Sequence, residues 1–224
     1  MCAAADFVRQ GAVLADVGTD HALLPVFLYE SGKIQKAYAT DIAKGPLEAA
    51  RRHIEKRGLS GVISPILTDG LEGLERLGIT DITICGMGGE LIAAIIDRAP
   101  FVRREEVRLI LQPMTRQADL RRYLAENGFF VEEERIVSAK GKCYFCLCAH
   151  YTGERQSLSQ VEAELGSLLY EEPKNPLFLA FVETKAKAQQ KKIEGLQGAE
   201  APVALGEERA YLQALLAILE RNSQ

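Results

Sequence analysis

Between residues 12 and 151, short β-like runs alternate with amphipathic stretches, and the segment then closes on a hairpin. This alternation limits the fold more than any other feature of the chain. A strand, a covering helix and a second strand in the same sheet give a parallel pair, so repeated units build a mainly parallel sheet with helices on both faces. The expected strands are Ala12–Asp16, Lys36–Asp41, Val62–Leu67, Asp81–Cys85 and Val107–Gln112. The expected helices are Leu23–Glu30, Pro46–Arg57, Glu90–Arg98 and Arg116–Glu126, the last ended by Asn127-Gly128. Leu47, Ala50 and Ile54 put the apolar face of the second helix on one side. Phe129–Val137 and Cys143–Tyr151, joined by Ala139-Lys140-Gly141-Lys142, form the closing hairpin. A hairpin places one antiparallel strand in a seven-stranded α/β sheet.

After Tyr151 the strand-like runs stop. Three candidate helices follow, Ser157–Tyr170, Leu177–Leu196 and Gly206–Asn222. The Gly/Ala/Pro-containing link Gly198–Gly206 suits an antiparallel helical hairpin, resembling a coiled coil. The expected division is a ligand-binding α/β domain over residues 1–152 and a helical C-terminal domain over 153–224. At 224 residues, such a chain buries roughly 70% of its unfolded surface and needs no disulfide or metal staple.

In doubly wound folds, ligands bind beyond the carboxyl ends of the strands, at the point where strand order reverses. The first strand runs into Asp16-Val17-Gly18-Thr19-Asp20-His21, the second ends at Asp41, and the third leads to Asp69-Gly70. The fourth leads to Gly86-Met87-Gly88-Gly89 and the fifth to Gln112-Pro113. Gly18 lets the backbone pass close to a ligand, and the backbone N–H groups around Thr19 and Asp20 are candidate donors. Asp41 is placed to take two ribose hydroxyls, and Asp69 to accept from an adenine amino group. Gly86 to Gly89 leave room for the reacting end of a cofactor or for an entering base. A dinucleotide fold would want G-x-G-x-x-G in the first turn. Here Gly18 stands between carboxylates, which repel a pyrophosphate and suit a ligand carrying cationic groups. No P-loop pattern occurs either.

Asp16-Val17-Gly18-Thr19-Asp20-His21-Ala22-Leu23-Leu24-Pro25 resembles the first motif of the bacterial tRNA (adenine-N1)-methyltransferase family TrmK. Ala39-Thr40-Asp41 with Lys44-Gly45-Pro46 is similar to its second motif. Cys85-Gly86-Met87-Gly88-Gly89-Glu90-Leu91-Ile92 is similar to the fourth, and Leu109-Ile110-Leu111-Gln112-Pro113 to the fifth. The match runs from residue 8 to residue 152, and the helical tail resembles that family's C-terminal coiled coil. Met114 stands where the family has asparagine, and the last hairpin reads Gly141-Lys142-Cys143-Tyr144-Phe145-Cys146 where a tyrosine-glutamate pair is more usual.

The resemblance implies a Rossmann-like class I methyltransferase that moves a methyl group from S-adenosyl-L-methionine to N1 of adenine 22 in the D-arm of tRNA. It implies a cofactor pocket of Asp16, Gly18, Thr19, Asp20, His21, Asp41, Asp69, Gly70, Gly86, Met87 and Gly88. Asp20, His21 and Gln112 are the candidate catalytic residues, and Gly89, Pro113 and Arg116 the candidate substrate contacts. A methyltransferase of the same fold acting on another RNA or a small molecule is the alternative, as is a cofactor- and RNA-binding protein without turnover.

The formal charge of −4 argues against a nucleic-acid coat protein. Residues 151–224 carry 8 Lys+Arg against 11 Asp+Glu, a net of −3, so any tRNA footprint has to be local. Candidate patches are Arg51-Arg52-Lys56-Arg57, Arg103-Arg104-Arg108, Arg116-Arg121-Arg122 and Lys185–Lys192. Of the five cysteines, Cys143, Cys146 and Cys148 fall on a strand-like run, where Cys143 and Cys146 point to opposite faces. That pattern reads as core thiols of a reduced, cytoplasmic protein, with no metal site. No apolar run reaches the ~18 residues of a membrane span, and no secretory leader is visible. A monomer is favoured over an oligomer.

Overall fold

A computed structural model describes residues 2–196 and 202–222. Its centre is a seven-stranded sheet in the order β3-β2-β1-β4-β5-β7-β6. The strands are β1 (Ala12–Val17), β2 (Ile34–Asp41), β3 (Ile63–Leu67), β4 (Asp81–Gly88), β5 (Arg108–Thr115), β6 (Phe129–Ala139) and β7 (Lys142–Tyr151). Strands β1 to β5 pair in parallel, and β7 runs antiparallel to both β5 and β6. The expected class and strand sequence hold. Strands β4 and β5 extend two or more residues further than the hydrophobic runs suggested, because Cys85–Gly88 and Gln112–Thr115 stay paired across register shifts.

Helices α2 (Leu23–Glu30) and α3 (Lys44–Lys56) cover one face, and α4 (Gly89–Asp97) and α5 (Gln117–Glu126) the other. Side-chain alternation along the strands splits the core accordingly. Leu14 joins Leu28, Ala50 and Ile54 on the first face, whereas Ala15 and Val17 join Ile92, Ile96 and Leu120 on the second. Cys146 and Cys148 are buried on the first face, and Cys143 packs against the second cluster, as strand alternation requires.

Two elements were not anticipated. A short helix α1 (Cys2–Phe7) packs Ala4, Ala5 and Phe7 under the first face. It is held by Arg9, whose backbone N–H and guanidinium both bond the buried Asp81 carboxylate at 2.7–2.9 Å. A 3-10 turn at Pro100–Arg103 follows α4.

The expected helix Ser157–Tyr170 is two pieces, α6 (Gln160–Leu165) and α7 (Leu168–Glu171). Ser159 and Glu162 form a reciprocal capping box at the start of α6, and Gly166, at φ +69°, ends it. Helices α8 (Pro176–Leu196) and α9 (Pro202–Asn222) pack against each other, and the link Gly198–Gly206 lies partly outside the described residues. Leu165, Leu168, Phe178 and Val182 belong to the same core as β6 and β7. Phe181 meets Phe145 of β7 edge to face, with ring centroids 4.8 Å apart.

Candidate active site

Strand order reverses between β1 and β4, and the carboxyl ends of these strands and their neighbours form the candidate site. Asp16, near the end of β1, pairs in register with Thr83 of β4. Its carboxylate is buried and accepts one hydroxyl hydrogen bond on each oxygen, from Thr19 Oγ1 at 2.6 Å and from Thr83 Oγ1 at 2.7 Å. Burial raises its pKa, the two hydroxyls pull it back, and the neighbouring Asp20 adds to the rise. Asp16 thus underpins the following loop as well as lining the cavity described below.

The loop from Gly18 to Ala22 is tightly wound. Gly18 has φ +70°, and a Cβ there would overlap the Met87 side chain. The N–H groups of Gly18 and Thr19 both donate to the Thr40 carbonyl, at 2.8 and 2.9 Å. Of the donors expected around Thr19 and Asp20, the Thr19 N–H is therefore spent on β2. His21 and Ala22, at φ 54° and 52°, are consecutive non-glycine residues in the left-handed region. Such strain concentrates at functional loops. His53 of α3 braces this turn, its Nδ1 lying 2.7 Å from the His21 carbonyl oxygen. Asp20 and His21 are exposed, with Nε2 and Oδ1 3.7 Å apart.

A cavity of about 270 Å³ opens between this loop, the ends of β4 and β5, and the β6–β7 hairpin. Among the expected residues it gathers Asp16, Gly18, Asp20, Gly86 and Gln112. Gly86, at φ +81°, donates its N–H to Gln112 Oε1 at 3.0 Å. A backbone N–H can only donate, so the Gln112 amide is oriented with its NH2 turned toward the Pro113 carbonyl and Met114 sulfur. Leu23, Cys85, Val137 and Cys146 also line the cavity and were not expected there. Continuing the β5–β7 register by one residue sets Cys146 level with Gln112, a placement that becomes readable only once the strand order is known.

The other expected residues stand outside this wall. Asp41 closes β2, and its Oδ1 accepts the Ala43 N–H at 2.7 Å, leaving the second oxygen available. Asp69 is already gripped by Arg98 in a two-pronged ion pair, at 2.7 and 3.1 Å, which holds its carboxyl below the usual range. The Gly70 carbonyl accepts from Thr40 Oγ1 at 3.3 Å. Gly88 lies against Thr115.

Gly89 differs from its expected role as a substrate contact. It is buried, and a Cβ there would overlap the Arg116 carbonyl oxygen, so the close approach of α4 to α5 accounts for the glycine. Pro113 is buried in β5 opposite Met87. Arg116 is exposed at the start of α5 in the left-handed region, 3.7 Å from Glu90 and 3.6 Å from Asp119.

The cavity's character fits S-adenosylmethionine. Carboxylates at Asp16 and Asp20 complement a sulfonium and an ammonium group, and glycines at Gly18 and Gly86 keep side chains off its edges. A wider groove of about 570 Å³ between the β3–β4 connection and Pro100–Arg104 carries balanced charge from Glu72, Glu75, Arg98 and Arg104 and lies away from the strand-order reversal. Among the described residues, no helix is long and apolar enough to cross a membrane.

Residues 1–147 match the methyltransferase domain family. The chain is 35% identical over 178 residues to the tRNA (adenine(22)-N(1))-methyltransferase of Bacillus subtilis, covering 78% of this chain and 75% of that protein. Among solved structures it superposes on the B. subtilis m1A22 tRNA methyltransferase TrmK with a TM-score of 0.85, at 31% identity, covering 100% and 97% of the two chains. It superposes on M. capricolum TrmK, solved with the cofactor product S-adenosylhomocysteine, with a TM-score of 0.78 at 26% identity, covering 96% of each chain. A methyltransferase-domain match over most of the chain and this likeness along nearly its full length lead to one conclusion: the chain belongs to the bacterial tRNA (adenine-N1)-methyltransferase family.

Proposed function

We propose that this protein methylates N1 of adenine 22 in tRNA, with S-adenosylmethionine as methyl donor. The observation that carries this reading is the cavity at the β1–β4 reversal, lined by Asp16, Gly18, Asp20, Gly86 and Gln112, in a chain 35% identical to an enzyme of that activity. The cofactor supplies a methyl group made electrophilic by its positive sulfur.

The chain's own residues divide into a cofactor half and a base half. Asp41 would take the ribose hydroxyls through its free oxygen, and Asp69, kept ionised by Arg98, would accept from the adenine amino group. Gly18 and Gly86 would leave room for the cofactor at the strand ends, with the Met87 side chain lying over Gly18. Asp16 and Thr19 hold the Gly18–Ala22 loop in place from beneath, so His21 and Asp20 project from a braced turn.

N1 of neutral adenine already carries a nucleophilic lone pair, so the protein need not supply a strong base. Its work is to hold N1 in line with the methyl group and keep water out, and good positioning is worth ~7–11 kcal/mol. The methylated ring is cationic, and the Asp20 carboxylate, 3.7 Å from His21, would offset that charge. Gln112, locked by Gly86, orients the base-side wall, and Arg116 stands exposed beyond it. Bringing the adenine out of its stack costs a few kcal/mol, which its contacts with the protein must repay.

Incubation with tritiated S-adenosylmethionine and unmodified tRNA, followed by mapping of the methylated nucleotide, tests the reading. Label at N1 of adenine 22 is expected. Label in another RNA or a small-molecule pool, with none in tRNA, overturns it.

A further inference from the structure

We propose that the β6–β7 hairpin is the part of the methyltransferase fold that holds the substrate RNA, with Tyr144 as the stacking surface for the target base and Lys140 and Lys142 as its phosphate contacts. This rests on the tRNA reading above and adds the surface that receives the RNA.

The argument starts from register. Strand β7 pairs with β5 only from Arg108↔His150 to Leu111↔Leu147. From Leu147 back to Lys142, β7 runs on in the direction of the β5 carboxyl end, paired with β6 alone. Five residues at about 3.4 Å each carry the tip roughly 17 Å beyond the last β5–β7 pair. The hairpin therefore overhangs the edge where the cavity opens. Val137 and Cys146, one from each of its strands, form part of the cavity wall.

Alternation identifies the residues on that wall's face. Tyr144 and Lys142 lie two and four residues from Cys146, on the same face of β7. Val137 pairs with Tyr144, and Ala139 with Lys142. Tyr144 is half-buried, and among the described residues it has no ring partner and its hydroxyl no hydrogen-bond partner. It is a flat aromatic surface just outward of the cavity lining. Base stacking on an aromatic ring needs only such a face.

The tip carries the charge. Lys140 and Gly141, at φ 49° and 72°, form a two-residue turn with both positions left-handed, the type whose twist matches the flanking strands. Lys140 and Lys142 are exposed and, among the described residues, have no carboxylate partner. Most of the other basic candidates are already neutralised: Arg57 pairs with Glu30, Arg103 with Asp97, Arg108 with Glu132, Arg121 with Glu134, and Lys192 with Glu208. A short basic tip on a well-formed turn, beside an aromatic face at the cavity mouth, matches a polyanion with unstacked bases.

Methyl transfer to unmodified tRNA, tRNA binding, and S-adenosylmethionine affinity are measured for the full-length wild type and variants. Tyr144→Phe is expected to stay within about twofold of wild type, because the ring remains. Tyr144→Leu is expected to lower kcat/KM for tRNA roughly 10-fold or more with cofactor affinity unchanged. Lys140→Ala/Lys142→Ala is expected to raise KM for tRNA and flatten the dependence of log affinity on log salt by about 1 to 2 in slope. A merely structural role for the hairpin would leave that slope intact.

A wild type that binds S-adenosylmethionine but transfers no methyl to tRNA overturns the functional reading and the hairpin assignment with it. A wild type that methylates tRNA, alongside Tyr144→Leu and double-lysine variants with wild-type KM and salt slope, overturns the hairpin assignment alone.

Discussion

The Nδ1 of His53, in the last turn of α3, lies 2.7 Å from the carbonyl oxygen of His21, 32 residues earlier in the chain. A carbonyl oxygen only accepts, so Nδ1 carries the proton in this contact. It joins the helix after β2 to the strained turn after β1, linking two elements that both border the candidate site. The His21 and Ala22 conformations are unfavourable in isolation and are retained because neighbouring groups hold them.

Removing that brace should loosen the loop without unfolding the protein. His53→Ala is expected to weaken S-adenosylmethionine binding and lower kcat roughly tenfold, with a stability loss of about 1 kcal/mol, the scale of one hydrogen bond. His53→Gln, which can again offer an N–H to the His21 carbonyl, should recover most of the activity. Calorimetric titration of the cofactor together with thermal unfolding checks this. Equal, wild-type activity in both variants would show that the loop holds itself.

Asp16 sets function against stability. Burial raises its pKa above the ordinary 3.8, so the folded state binds a proton more readily than the unfolded state. The stability this group offers is fully present below its unfolded pKa and is lost as pH rises through its folded one. Once pH has risen through the folded pKa, the ionised, buried carboxylate is therefore a net cost. Asp16→Asn is expected to raise Tm at pH 7 by a few degrees, at about 2–4 °C per kcal/mol for a chain of this size. The gain should shrink as pH falls and the wild-type carboxyl takes up its proton. Cofactor affinity should drop at the same time, since the cavity loses a negative charge. Calorimetric scans across pH test the sign, and a gain that grows on acidification would contradict it.

The strands and most helices were readable because their hydrophobic periods differ, and the strand-end carboxylates were readable because the fold class places ligands there. The expected Leu23–Glu30 helix matches α2 residue for residue. What escaped depends on distant neighbours. Nothing local in Thr-Asp-Gly at 68–70 announces that Arg98, 29 residues on, will take the Asp69 carboxylate. Gly89 looked like a cleared ligand site and is cleared for the Arg116 backbone instead. Gly166, inside the expected Ser157–Tyr170 helix, lies against the Glu134 carboxylate, a contact made only when the tail docks on β6. Tyr144 reads as an ordinary strand residue until the register shows that its strand continues past the last β5–β7 pair with β6 as its partner.

Asp41 offers a clean separation of charge from backbone support. Its Oδ1 holds the Ala43 N–H just before α3, and its other oxygen is free for a ligand. Asp41→Asn can keep the first contact while removing the charge that a pair of ribose hydroxyls favours. It is expected to weaken S-adenosylmethionine binding roughly 10-fold, with Tm nearly unchanged. Asp41→Ala should weaken binding further and also lose stability at the start of α3. Cofactor affinity unchanged in both variants would remove Asp41 from the ribose site.

The last prediction concerns how the helical tail is fastened. Arg121 of α5 and Glu134 of β6 form an ion pair that is almost wholly excluded from solvent, with 3% and 0% side-chain exposure. Arg121 Nε donates to Glu134 at 3.0 Å, and its Nη1 donates to the Ala163 and Glu164 carbonyls at the end of α6. Glu134 accepts the Ser167 N–H at 3.1 Å, and Phe145 stacks under the guanidinium at 4.9 Å. One pair thus joins α5, β6, β7 and the α6–α7 junction. Arg121→Ala would strand a buried carboxylate and is expected to cost about 3–5 kcal/mol, read from urea unfolding. Gly166→Ala should also destabilise, because its Cβ would press on the Glu134 carboxylate and its φ is left-handed. The apolar double variant Arg121→Met/Glu134→Leu should cost less than Arg121→Ala alone, since no charge is left unpaired. In Arg121→Ala, hydrogen exchange should rise first across α6 and α7, while β1 and β4 stay protected. A loss below about 1 kcal/mol in Arg121→Ala would mean that the apolar contacts of Phe178, Val182 and Leu165 hold the tail in place without the ion pair.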